Sequence, residues 1–234
     1  MKKNTDKIVA VIPIKLKSDR VPSKNFREFI GGKSLFHILV EKLLSTEKFD
    51  KIYVSSNAEE IKSEIEELGC IFISRKEKYC NNEIPWSDVI YEVVKSIPED
   101  DDVSIAWCHT TSPLFDNYQL AIKKYFEVLN NNTFDGLITV TRLSEFLVSE
   151  KRKPINYSWG PWHKYSQHLD KIFAITGALF IAKKREMLLN RYVISKNPFF
   201  FQVSQYEAVD IDTVYDFELG KILFKNKSLL EKHV

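Results

Sequence analysis

The chain has little of what several large protein classes require. Its three cysteines, Cys70, Cys80 and Cys108, show no metal-ligand or CxxC spacing, and they read as reduced and structural. No apolar run reaches the length of a signal core or a membrane span. The stretch after the polar residues 1–7 meets Pro13 and then charges. The expectation is a cytoplasmic protein with no membrane partner. Basic residues barely exceed acidic ones, 34 against 32, for a net charge of +2. That leaves no bulk positive field to argue for nucleic acid. Neither a Walker A sequence nor GxGxxG occurs, so those ways of cradling phosphate are excluded. There is no internal repeat and no low-complexity tract.

What is present is 44% hydrophobic content over 234 residues, enough for one full-sized domain. Strand and helix signals alternate through the first two thirds. Buried strands are expected at 7–14, 51–56, 70–73, 103–107 and 135–140. Helices are expected at 34–45, 58–68, 87–96 and from a cap at Asp116 to about 129. Gly69 is a good stop for the second of these. Such alternation implies a mainly parallel sheet with helices on both faces. The pattern breaks at about Arg142. From there to Ile172 come Trp159, Gly160, Pro161 and Trp162, two tyrosines and two histidines, with no clean period. This reads as an excursion from the sheet, a β-arm or a subunit contact. Strand 177–182, helix 183–190, an aromatic strand 198–204 and a helix 213–224 capped by Thr213 complete the chain.

Ligands of such sheets sit beyond the carboxyl ends of the strands. Two loops fall there. The first follows Val9-Ala10-Val11-Ile12-Pro13 and carries Lys15, Lys17, Arg20 and Lys24, with Ser18 and Asn25 among them. Cations over a strand end can hold a triphosphate and neutralise a departing pyrophosphate. A solvated cationic face is the plain alternative. The second loop, His109-Thr110-Thr111-Ser112-Pro113-Leu114, offers hydroxyls and amides, or is only a turn. Far away in sequence stands Ala208-Val209-Asp210-Ile211-Asp212-Thr213. Read as a short strand, it puts both aspartates on one face, where like charges repel unless a cation such as Mg²⁺ lies between them. The alternative is a capping cluster for the Thr213 helix, which Asp216 fits well. Arg75, after the third strand, is a further candidate or an ordinary surface arginine.

These residues resemble the acylneuraminate cytidylyltransferases. Pro13 to Asn25 is similar to their signature P-A-R-G-G-S-K-x-x-P-x-K-N, with Lys15 in place of the arginine and Leu16 and Lys17 in place of the glycines. Thr111-Ser112-Pro113-Leu114 resembles P-T-S-P-L with its preceding glutamine replaced by His109. Thr176-Gly177-Ala178-Leu179-Phe180 resembles N-G-A-I-Y, and Ser166-Gln167-His168-Leu169-Asp170 resembles R-Q-x-L-P without its arginine. Val209-Asp210-Ile211-Asp212-Thr213 matches the metal motif.

The resemblance implies a Rossmann-like α/β fold and a homodimer, with residues 142–172 as an arm toward the partner. It implies CTP plus a sugar, an eight- or nine-carbon 2-keto acid, giving CMP-sugar and pyrophosphate. Lys15, Ser18, Arg20, Lys24, Asn25, Arg75, Thr111 and Ser112 would bind CTP. Of these, Lys15, Arg20 and Lys24, with Asp210, would carry catalysis. Asp210 and Asp212 would hold Mg²⁺. His109, Gln167, Thr176 and Gly177 would face the sugar. A less usual acceptor, or a nucleotide-binding homologue without activity, stays open.

Overall fold

A computed structural model describes residues 7–230 apart from Asp19 and Asn82. The central sheet begins with β1 (Ile8–Pro13), β4 (Lys51–Ser56), β5 (Ile71–Ser74) and β6 (Ser104–Cys108), all mutually parallel where they pair. It continues with β7 (Gly136–Leu143), β8 (Ile172–Lys183) and β9 (Pro198–Gln202). The order across the sheet is β5-β4-β1-β6-β8-β7-β9. β8 pairs antiparallel with both β6 and β7, so it alone runs against the rest. A short hairpin of β2 (Glu28–Ile30) and β3 (Lys33–Ser34) stands apart.

β1 is apolar on both sides because helices cover both faces. Ile8, Ala10 and Ile12 pack into one core with α1 (Leu35–Ser45), α2 (Lys62–Glu67) and α4 (Tyr118–Asn130). Val9 and Val11 pack into another with α3 (Trp86–Ser96) and α5 (Lys184–Asn190). The fold is therefore the expected Rossmann-like α/β sheet. Ser34 caps α1 by accepting from the His37 amide, and Gly69 ends the α2 region with a positive φ of 80°. A third core joins Val21, Phe29, Leu35, Ile38, Ile211 and Phe217. It locks the loop after β1 to the segment before α6 (Val214–Lys225); α7 (Lys227–Leu230) follows.

Two local expectations need correction. Residues 208–213 form turn and coil, not a strand. The Ile211 amide donates to the Thr111 carbonyl and so ties them to the second loop. Asp116 does not cap α4, whose cap residue is Asn117, with its side chain donating to Glu207 and not closing on the helix. Asp116 instead pairs with Lys42 and Lys227, because two cations outcompete a single helix amide. Thr213 and Asp216 do form a reciprocal capping box at α6.

The excursion after β7 is real but is not a β-arm. Between Leu143 and Ile172 there is one isolated bridge, Val148 to Pro154, and two short 3₁₀ turns. Buried Asn156 organises it, accepting from the Leu147 amide and donating to the Glu145 carbonyl. Phe146 stacks on His163 with centroids 4.9 Å apart. Trp159, Trp162 and Tyr165 remain exposed. Among the described residues, no helix is long and apolar enough to cross a membrane.

Candidate active site

A cleft of about 790 Å³ opens over the carboxyl ends of β1 and β6. Lys15, Arg20, Lys24 and Asn25 line it from the first loop, His109, Thr110 and Thr111 from the second, and Arg75 from the end of β5. Asp210 and Asp212 line it too, although Asp212 lies 192 residues from Arg20 in sequence. The third core explains the meeting. Val21 and Ile211 are both fully buried in it, so their neighbours Arg20, Asp210 and Asp212 are held at its rim. Burial of two aliphatic side chains thus sets the geometry of three charges.

The charges already engage one another. Arg20 donates to the Asp212 carboxylate at 2.7 Å, and Lys24 lies 3.5 Å from the same oxygen. Lys24 also donates to the Ile211 carbonyl at 2.7 Å. Asp210 keeps solvent access on the cleft side. Protein packed around it raises its carboxyl above the ordinary range, and nearby Asp212 adds to this, while a bond with Thr111 and the charge of Lys24 oppose it. Two carboxylates from one segment, facing an open cleft, suit a hard divalent cation whose remaining ligands are phosphate oxygens and water. Among the described residues, no group of three or more His, Cys, Asp or Glu side chains gathers as a metal cluster.

Asn25 is a tether. Its amide donates to the Lys15 carbonyl at 2.9 Å and its oxygen accepts from Thr110 at 2.7 Å, tying the two loops together. Arg75 is buried and likewise fastened, donating to the Ile14 carbonyl and to the Cys80 sulfur. His109 accepts at Nε2 from the Trp107 indole, 2.8 Å away. Burial pushes its pKa down to about 4, aided by Lys24 and opposed by a bond to the Gly177 backbone and by Asp212. It is neutral at physiological pH.

Gly177 belongs to the same neighbourhood. A Cβ there would stand 3.3 Å from His109 Nδ1 and 3.6 Å from both Asp210 Oδ1 and Ser112 Oγ. Ser18, Ser112, Gln167 and Thr176 do not line the cleft. Ser112 is buried just behind it. The Thr176 hydroxyl turns instead to Thr139, at 2.7 Å. Gln167 sits in the 3₁₀ turn 166–168 of the excursion. Sequence reasoning missed Tyr79, Cys80, Ile84, Pro85 and Trp86, which also line the cleft. Their segment has no periodicity, and a proline at 85 ahead of a helical run was its one legible mark.

A sequence profile for cytidylyltransferases matches residues 9–157. The pseudaminic acid cytidylyltransferase of Campylobacter jejuni is 24% identical over 227 residues, covering 94% of this chain and 97% of its own. The N-acylneuraminate cytidylyltransferase of Escherichia coli is 26% identical over 230 residues, 95% of this chain and 53% of its own length. Among solved structures, a CMP:2-keto-3-deoxy-manno-octonic acid synthetase complexed with CTP superposes with a TM-score of 0.65 over 94% of this chain and 99% of its own. At 14% identity that likeness is one of fold.

Proposed function

The chain belongs to the cytidylyltransferase family, and from that premise we propose that it transfers CMP from CTP to an eight- or nine-carbon 2-keto sugar acid, with Mg²⁺ as the divalent cation. The observation that carries this is the convergence of Lys15, Arg20 and Lys24 with Asp210 and Asp212 in one cleft. A relative named for pseudaminic acid aligns over nearly all of both chains and supports the acceptor class.

In this reading the acceptor hydroxyl attacks the α-phosphorus of CTP. The new O–P bond forms as the bond to the β-phosphate oxygen breaks, and pyrophosphate leaves with the electron pair. Lys15, Arg20 and Lys24 hold and neutralise the phosphates. Arg20 and Lys24 must turn from Asp212 to do so, which frees that carboxylate. Asp210 and Asp212 hold the cation, which when bound offsets negative charge on the transferring phosphate. Asp210, with its raised pKa, is the group placed to take the hydroxyl proton. Arg75 and the backbone of the Cys108–Ser112 stretch read cytosine. Asn25 keeps the two loops in register. His109 and Gly177 face the acceptor.

We further propose that the chain forms one nucleotidyltransferase domain and works as a homodimer in the cytoplasm. The exposed Trp159, Trp162 and Tyr165 of residues 142–172 support a subunit contact. The experiment is pyrophosphate release from CTP, UTP, ATP and GTP with Mg²⁺ and a panel of 2-keto sugar acids. CTP with at least one of them should give turnover. A purine preference, or release from CTP with no acceptor dependence, sinks the reading. Sedimentation at micromolar concentration tests the dimer.

A further inference from the structure

We infer that Trp86 and His109 form an aromatic wall on the acceptor side of the cleft, and that this wall selects acceptors bearing an acyl substituent. The inference rests on the cytidylyltransferase reading and deepens it. The cleft is asymmetric. Its cations come from the loop after β1 and from Arg75, whose guanidinium is fastened to Ile14 and Cys80. The same cleft also carries aromatic rings. Trp86 is the first residue of α3, lines the cleft and is 47% exposed.

Its ring stands edge-on to buried Trp107, at 6.0 Å and 88°, and tilts over His109 at 6.4 Å and 54°. Trp107 fills the space behind it, so the indole of Trp86 cannot fold into the core. Pro85 fixes the backbone just before it, at φ −53°. His109 is equally fixed, between the Trp107 indole N–H and the Phe180 ring 5.9 Å away. The result is a rigid apolar surface already shaped without a ligand.

Position decides what the wall touches. His109 Nδ1 and Asp210 Oδ1 both approach the same point above Gly177, at 3.3 and 3.6 Å. The wall therefore starts beside Asp210, where the reacting groups meet. Phosphates are drawn to the cationic loop, and what enters beside Asp210 is the acceptor. A sugar acid is polar almost everywhere. An acyl methyl is the part of it that an indole face can desolvate favourably, and an acceptor without one gains nothing there.

The test uses Trp86→Ala and Trp86→Phe. The probes are N-acetylneuraminate and pseudaminate, which carry acyl groups, and 3-deoxy-manno-octulosonate, which does not. Each is titrated calorimetrically into the CTP-loaded protein with divalent cations chelated, so that affinity is read without turnover. At least one acylated probe should bind wild type, and Trp86→Ala should weaken it about tenfold, Trp86→Phe by less than threefold. CTP affinity and octulosonate affinity should stay within twofold. If both probe classes weaken equally, if neither changes, if none binds wild type, or if CTP affinity falls by the same factor, the wall is not an acyl-selecting surface. Loss of turnover in wild type with Trp86-dependent binding intact would instead sink the catalytic reading and leave the wall standing.

Discussion

Ile211→Ala is the sharpest test of how this fold builds its site. Ile211 is fully buried among Val21, Phe29, Leu35, Ile38 and Phe217, and it lies between Asp210 and Asp212. Truncating a buried isoleucine to alanine costs about 3 kcal/mol, within a range set by how far the cavity collapses. For a chain of this size that lowers Tm by about 6–12 °C. The structure also names the group that can fill the hole. A Cβ on Gly220 in α6 would stand 3.2 Å from Ile211 Cδ1 and 3.3 Å from Phe29 Cζ. Gly220→Ala alone gains about 1 kcal/mol of helix propensity but crowds those two atoms, so its net effect is near zero. With Ile211 truncated, the tighter of the two contacts is gone, the Phe29 ring has room to give, and the new methyl enters the cavity. The double variant should therefore be destabilised by only about 1–2 kcal/mol, a favourable coupling of about 1–2 kcal/mol. Urea unfolding of the four proteins gives the cycle, and pyrophosphate release gives the consequence at the site. Ile211→Ala should lose at least tenfold in kcat/KM, because the rim that holds the aspartates against Arg20 has slackened, and the double variant should recover part of it. Strict additivity, or a double variant weaker than the sum, would refute the packing argument. Full activity in Ile211→Ala would refute its link to the charges.

Three further outcomes follow from the same geometry. Lys24→Ala should weaken CTP binding about tenfold or more by calorimetry, because its ammonium is largely buried, whereas the exposed Arg20→Ala should cost only about threefold and Lys123→Ala nothing. Asp210→Asn should reduce turnover at least about a hundredfold. It should nevertheless raise Tm at pH 7, since a carboxyl whose folded pKa lies above its unfolded value gives up stability as pH rises through it; a lowered Tm contradicts the assignment. His109 has the opposite sign. Its folded pKa of about 4 lies below the ordinary 6.5, so stability is intact above pH 6.5 and drains by up to about 1.4 kcal/mol per pH unit as pH falls toward 4. Between pH 7 and pH 5 the wild type should lose about 2 kcal/mol more than His109→Gln in urea unfolding, and equal losses would mean the imidazole is charged or solvated.

The sequence by itself determined the elements that local physics controls. The apolar run of β1, the Thr213 cap and the Gly69 stop each depend on neighbours within a turn or two, and each stands where its residues place it. The cations after Pro13 and the aspartates at 210 and 212 were legible as chemistry, since few residue types suit phosphate and metal. Tertiary structure alone decided the rest. No local pattern makes β8 antiparallel, because strand sense depends on the return path of the chain and not on its side chains. Residues 208–213 alternate like a strand, yet Ile211 is buried in the third core and no neighbouring strand pairs with it. Asn25 and Arg75 read only as ligand candidates in sequence, and the fold adds a second use for each as a tether, through Lys15, Ile14 and Cys80. Trp86 carries no site signal in sequence and is left half in solvent because Trp107 fills the interior against it. Each of these turns on competition between partners distant in sequence, for which a linear chain carries no local signal.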